Sequence, residues 1–186
     1  MSQQRDLTVL HRECGQPRHS YCREYSPLLE RLGLAWRSSA APVWETMSRV
    51  RIVVEPEQLD PDGLRRELEA EGCGSVVSFV GLTRGDDDGI TVKRLEFDAW
   101  EERLPGVLNQ LAEQAIGQFG VSSVVLGHRI GSVEPGEPIV CIHVASAHRA
   151  EGFKACSWLI DELKSQAPLW KKEVRSDGEI WKAGLG

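Results

Sequence analysis

The sequence predicts an α+β domain with helices packed on a mixed or antiparallel sheet. Three observations point there. Strand-like and helix-like segments alternate after residue 47, some strands are joined by hairpin-length links, and no GxGxxG or GxxxxGK[ST] loop marks a doubly wound parallel sheet. A chain of 186 residues, 41% hydrophobic, fits one domain plus a terminal extension better than two full domains.

The first regular segment is Val50–Val54, a β-branched run that reads as a strand. Asp60 then offers an N-cap for a helix over Pro61–Glu71, with Leu64 and Leu68 at helical spacing and Gly72 to Gly74 ending it. Ser75–Gly81 reads as a strand, and Thr83–Gly89 as a mobile Gly/Asp loop. Ile90–Phe97 alternates as a further strand. Leu104–Phe119 places Leu108, Leu111, Ala112, Ala115, Ile116 and Phe119 on one face, the signature of an amphipathic helix. Ser122–Ile130 and Ile139–Ser146 are strands joined by the turn-rich connector Gly131–Glu137, suited to a hairpin or a wider β-loop. A last helix spans residues 150–164, followed by a Pro168-Leu169-Trp170 turn and an exposed tail.

Residues 1–46 are irregular and read as an extension, with Met47 a candidate translation start and 47–186 the folded domain. Within the extension, His11, Cys14, His19 and Cys22 form H-x2-C-x4-H-x2-C. The loop between the pairs is shorter than common structural zinc spacings and no apolar face adjoins it, so no metal site is expected. The five cysteines are an odd set, three of them in apolar segments where a reduced thiol packs as a small hydrophobe, so no disulfide framework is expected.

A formal net charge of -6 disfavours nucleic acid as the main partner. No run approaches the roughly 18 to 20 apolar residues of a membrane span, and Met1–Leu10 lacks the apolar core of a signal peptide, so a soluble cytoplasmic protein is expected. Against this acidic background, cations gather between Ser146 and Lys172, beside apolar residues that suit a pocket for a small anion. His148-Arg149 precedes a helix whose N-terminal amides favour anions, Lys164 ends that helix, and Lys171-Lys172 follows Trp170, whose indole and neighbouring cations favour a lowered amine pKa. Arg84 sits in the loop after a strand. Each has an ordinary alternative: a solvated loop arginine, a helix cap or surface pair, a charge complementing the helix dipole, a solvated lysine pair. His128-Arg129 reads as structural, with its side chains on opposite strand faces, and His143 as a core histidine. A helix over 150–164 separates His148-Arg149 from Lys164 by roughly 20 Å or more. They serve one small substrate only if a dimer brings one protomer's His148-Arg149 beside its partner's Lys164 and Lys171.

Six blocks, in order, carry a family resemblance: Phe79-Val80-Gly81-Leu82-Thr83-Arg84, Leu95-Glu96-Phe97-Asp98-Ala99-Trp100, His128-Arg129-Ile130-Gly131, Ser146-Ala147-His148-Arg149, Ile160-Asp161-Glu162-Leu163-Lys164 and Ala167-Pro168-Leu169-Trp170-Lys171-Lys172-Glu173, extended by Asp177-Gly178-Glu179-Ile180-Trp181. From about Arg49 to Trp181 the chain resembles the catalytic, larger subunit of molybdopterin synthase, the MoaE family. The resemblance implies an α/β hammerhead-type fold and a homodimer flanked by small ubiquitin-like sulfur carriers, a heterotetramer. It implies conversion of cyclic pyranopterin monophosphate (precursor Z) to molybdopterin by dithiolene formation, with sulfur from the carrier's thiocarboxylated C-terminal Gly-Gly. This chain ends Lys182-Ala183-Gly184-Leu185-Gly186 and carries no such tail, so the carrier is a separate protein. The family pattern assigns Lys164 and Lys171 to catalysis and frames the substrate with Leu82, Thr83, Arg84, His148, Arg149, Lys164, Lys171, Lys172 and Glu173; no metal or cofactor is implied. Thr83 stands where valine is common, Leu104 where methionine is common, and the first 46 residues have no counterpart. The competing classes are a catalytically silent docking relative and an unrelated phosphate-handling hydrolase; for the latter the sequence shows neither a metal cluster nor a nucleophile triad.

Overall fold

The computed structural model describes residues 49–182; the extension and its His11, Cys14, His19 and Cys22 lie outside the described residues. In chain order the elements are β1 (Val50–Glu55), α1 (Pro61–Arg66), β2 (Ser75–Leu82), β3 (Asp86–Asp87), β4 (Ile90–Ala99), α2 (Leu104–Phe119), β5 (Ser123–Arg129), β6 (Gly131–Val133), β7 (Pro138–Ser146), α3 (Arg149–Gln166), β8 (Leu169–Arg175) and β9 (Gly178–Lys182). The expected α+β class holds, with a four-stranded mixed sheet β1-β5-β7-β2 and a second sheet β3-β4-β8-β9 to which β6 adds beside β4. Among the described residues only the β1–β5 pairing is parallel.

The main core forms where α2 and α3 lie on one face of the mixed sheet. Leu104, Leu108, Leu111, Ala112, Ala115 and Ile116 of α2 meet Ala155, Cys156, Leu159 and Leu163 of α3 over Val77, Val124, Leu126, Ile142 and Val144. Pro105 lies in the first turn of α2, and Gly120 caps its C-terminus in the left-handed conformation (φ 67°), its N–H donating to the Ile116 carbonyl at 3.0 Å. The opposite sheet face is covered by Leu59 and by Leu64 of α1, packed on Val125 and Cys141. This approach requires glycine at 127: a Cβ there would stand 2.7 Å from Leu64 Cδ1 and 2.8 Å from Leu59 Cδ1. The thiols of Cys141 and Cys156 are pushed up by burial to about 11, as expected of reduced, inert core cysteines.

Three expectations need correction. The first helix ends at Arg66, not Glu71; after it Leu68 still packs toward the Leu59–Leu64 cluster, but from a turn that redirects the chain into β2. The loop 83–89 contains a short hairpin: β3 pairs with the start of β4 across Asp88 and Gly89, both at positive φ (53° and 81°), the Asp-Gly signature of a type I′ turn. The exposed tail is a β-hairpin, with β8 antiparallel to β4 and β9 antiparallel to β8. Its polar side chains disguise it, because its stabilisation is cross-strand: Lys172 pairs with Glu96 on β4 and with Glu179 on β9. No helix among the described residues is long and apolar enough to cross a membrane.

Thr83, just after β2, is 3% exposed, and its hydroxyl is buried without a hydrogen-bond partner, although its backbone N–H donates to the Glu137 carbonyl. Valine has nearly the same shape without the stranded hydroxyl. Thr83→Val should raise the unfolding free energy by about 1 kcal/mol, seen as a higher urea midpoint at unchanged slope. His128 generates a second expectation, since burial pushes its imidazole from 6.5 down to about 4. The unfolded chain takes up a proton near pH 6.5 that the folded chain refuses until about pH 4, so this group's contribution is intact above that window and is lost on acidification through it. Urea titrations should show about 3 kcal/mol of stability lost to this group on acidification through that window, and a shallower slope in His128→Gln over the same range.

Candidate active site

The two sheets enclose a cleft of about 240 Å³. Backbone irregularities on two strands shape it. A register shift between Gly81 and Leu82 lets Phe79, Gly81 and Leu82 all face the cavity, and another between Val92 and Arg94 places Val92 on the same side as Leu95 and Phe97. Ile139, Val140 and Ile142 of β7 and Ile160 and Leu163 of α3 complete an apolar lining. Onto it converge Arg84, Asp86 and Asp87 from the β2–β4 connection, His128 from β5, Lys164 from α3, and Lys171 and Glu173 from β8.

Lys171 is the half-buried cation of the group, its side chain 13% exposed. Burial holds its amine below the ordinary lysine range; Glu173 opposes that effect, and the positive charges of Lys182 and Arg84 add to it. Trp170 lies on the other side of the strand and is 53% exposed, so cleft burial, not the indole, desolvates the amine. Glu173 Oε1 is 3.7 Å from Lys171 Nζ, too far for a hydrogen bond but within ion-pair reach. Its Oε2 is 3.3 Å from Lys182 Nζ without hydrogen-bond alignment, leaving a buried carboxylate oxygen with no hydrogen-bond donor beside the cavity. Lys182 Nζ also donates to Asp87 Oδ2 at 2.9 Å, and Asp87 Oδ1 is 3.6 Å from the exposed Arg84 guanidinium.

His128 is 2% exposed, edge-on to Phe97 with ring centroids 5.5 Å apart. Its Nδ1–H donates to the Arg129 carbonyl at 2.7 Å, which in the neutral ring leaves Nε2 as an acceptor. The imidazole is thus an uncharged acceptor in the cleft wall, where the sequence suggested only a structural pair. Arg129 does play the structural part, bonding Glu137 and the Ser132 carbonyl. His143 is a core histidine as expected, 1% exposed with Nδ1 2.9 Å from Ser78 Oγ.

Of the sequence-derived candidates, the fold brings Leu82, Arg84, Lys164, Lys171 and Glu173 together. It does not bring the others. Thr83 is buried beside the cleft, and Lys172 is held by Glu96 and Glu179, with Trp181 beneath it at 5.7 Å, so its amine stays above the ordinary lysine range. His148 and Arg149 are exposed at the start of the 18-residue α3, with Lys164 near its end, about 22 Å away along the axis. The cleft is also less cationic than its sequence suggests, because Asp86, Asp87 and Glu173 answer Arg84, Lys164 and Lys171. Sequence reasoning missed His128, Asp87 and Lys182; their only local signals were a His-Arg dipeptide, an Asp run and a tail lysine. Among the described residues no group of His, Cys, Asp and Glu is arranged to hold a metal ion.

Comparison with known proteins matches residues 54–166 to the family model described as MoaE protein, a span that includes Arg84, His128, His148, Arg149 and Lys164 and ends before Lys171. The molybdopterin synthase catalytic subunit of Pyrococcus abyssi is 32% identical over 137 residues, covering 74% of this chain and 93% of the relative. That of Arabidopsis thaliana is 36% identical over 138 residues, covering 74% and 70% respectively. The crystal structure of molybdopterin synthase from Staphylococcus aureus superposes with a TM-score of 0.66 at 30% identity, covering 74% of this chain and 98% of that one. With fold, residue blocks and relatives agreeing across the domain, this chain belongs to the MoaE family, alongside the molybdopterin synthase catalytic subunits.

Proposed function

We propose that this protein is the sulfurtransferase subunit that converts cyclic pyranopterin monophosphate to molybdopterin in the cytoplasm, with residues 47–186 as the catalytic domain. The observation that carries the site assignment is Lys171: a half-buried amine below its ordinary proton affinity, facing an apolar cavity beside an under-bonded carboxylate and a neutral histidine. That combination suits proton transfer at a carbon centre better than simple anion capture, because an amine whose proton affinity is lowered by burial gives up and takes back a proton more readily than a solvated lysine. Lys164, at the rim, supplies a second amine for acid/base or covalent assistance. Arg84, largely exposed and held loosely by Asp87, is free to turn to a phosphate.

Sulfur arrives on a second protein, a small ubiquitin-like carrier with a thiocarboxylated Gly-Gly tail. An extended tail of that kind fits the apolar floor formed by Phe79, Phe97 and Ile142, with a lysine to steady the charge on its acyl group. One protomer's cleft balances its cations with carboxylates, which leaves a phosphate short of positive charge. The exposed His148-Arg149 of a second protomer supplies it, making the active site shared across a homodimer within a heterotetramer.

In single-turnover assays with precursor Z and thiocarboxylated carrier, Lys164→Ala and Lys171→Ala should each lower the rate of molybdopterin formation by about 10²- to 10⁴-fold with the fold intact by circular dichroism. Wild-type activity should rise with pH and level off below the range of an ordinary lysine, as Lys171 loses its proton. Undiminished turnover in folded Lys171→Ala would remove that residue from the chemistry. Mixing Lys164→Ala chains with Arg149→Ala chains should restore part of the activity, since a mixed dimer rebuilds one intact site. No recovery in dimers verified as mixed would place both ends of α3 in separate sites.

A further inference from the structure

Lys171 and Lys182 are direct cross-strand partners on β8 and β9. Like charges directly opposite one another in a ladder repel, and both amines are partly shielded from water, with side chains 13% and 32% exposed. The pair is tolerated because two carboxylates are interleaved with it. Glu173, its side chain 7% exposed, lies between the amines, and Asp87 on β3 takes a hydrogen bond from Lys182 at 2.9 Å. The charged or titratable groups facing Lys171 are Glu173 on its own strand, Lys182 on β9, Arg84, Asp86 and Asp87 from the β2–β4 connection, Lys164 on α3 and His128 on β5.

We propose that Asp87 and Lys182 are a positioning pair for Lys171: Asp87 anchors the Lys182 ammonium against Glu173, so that Glu173 is shared and Lys171 keeps only a long ion pair at 3.7 Å. Sharing one carboxylate between two ammoniums limits the stabilisation that Lys171 gains on protonation. Removing Lys182 gives Glu173 wholly to Lys171 and removes a like charge; both effects favour the ammonium. Removing the charge of Asp87 frees Lys182 to lean on Glu173 and deletes a nearby negative charge; both effects favour the free amine. The pair rests on the reading of Lys171 as a reacting amine, but its electrostatic consequence is measurable without turnover.

The test is the pH profile of acetylation of Lys171 by a small amine-directed reagent, followed by peptide mass spectrometry on the full chain and normalised to exposed Lys154. Altered access scales the whole profile, whereas altered proton affinity displaces it along the pH axis. In Lys182→Met the profile should move to higher pH, with Lys171 labelled about three- to tenfold more slowly at neutral pH. Asp87→Asn should move it the other way, and Lys182→Arg should leave it near wild type. A Lys182→Met profile unmoved or displaced to lower pH overturns the proposal, as does an unmoved profile in Asp87→Asn. If labelling shifts as expected while the acid limb of molybdopterin formation stays in place, the positioning pair stands and the assignment of Lys171 as the titrating group in the reaction fails.

Discussion

Every residue of β5, from Ser123 to Arg129, is buried. The strand runs through the middle of the mixed sheet, parallel to β1 on one side and antiparallel to β7 on the other, with α2 and α3 over one face and α1 over the other. Burial on both faces makes every unsatisfied polar group costly, so the strand's composition is constrained along its length. Gly127 is there because two leucines occupy the space above it, and Arg129 is tolerated because Glu137 and the Ser132 carbonyl take up its two terminal nitrogens, although its Nε is buried without a partner. The same constraint fixes His128. Its ring is held by Phe97 and by the Arg129 carbonyl, and burial keeps it uncharged, so the wall of the cleft is a fixed acceptor.

Elements that bury one face or stripe of apolar side chains were legible from sequence. The periodicity of Leu104–Phe119 and the β-branched runs around Val50, Val77 and Val144 translate directly into the observed helix and strands. The β8–β9 hairpin was not, because Lys171, Lys172, Glu173 and Glu179 have weak strand preference and their stabilising partners lie on other strands. For the site, the charged residue types were visible but their sorting was not. Adjacent Lys171 and Lys172 look alike in sequence, yet strand alternation sends one into the cleft and the other to an outer ion pair, with opposite displacements of their proton affinity. The sequence shows His128 only as half of a His-Arg pair whose side chains alternate to opposite strand faces, because the ring of Phe97 that it meets edge-on lies 31 residues away in sequence on a different sheet.

The two sheets are stabilised in different ways, and the cleft lies where they meet. The mixed sheet is held by a large apolar core; the second sheet has only Val92, Leu95, Phe97 and Val133 buried together, with Ile139 against them. Ion pairs do much of the remaining work there, linking β3, β4, β8 and β9 through Asp87, Glu96, Lys172, Glu173 and Lys182. Exposed pairs of this kind contribute little individually, but a partly buried network constrains side-chain positions even when its net stabilisation is small.

That division has a chemical consequence. A rigid apolar wall can place His128 and Lys164 but has no means of adjusting the charge state of an amine, since moving charge into it would cost several kcal/mol unless the charge were paired. The polar sheet has that means, because the proton affinity of Lys171 depends on how Glu173 is divided between two ammoniums. A thiocarboxylate or phosphate entering the cleft adds negative charge close to both, and raises the proton affinity of Lys171 as it binds. In the proposed reaction, Lys171 therefore starts below the ordinary proton affinity of a lysine and gains proton affinity as the substrate's charge comes close, the direction that suits a base taking up a proton in the loaded site and giving it up again once the product leaves.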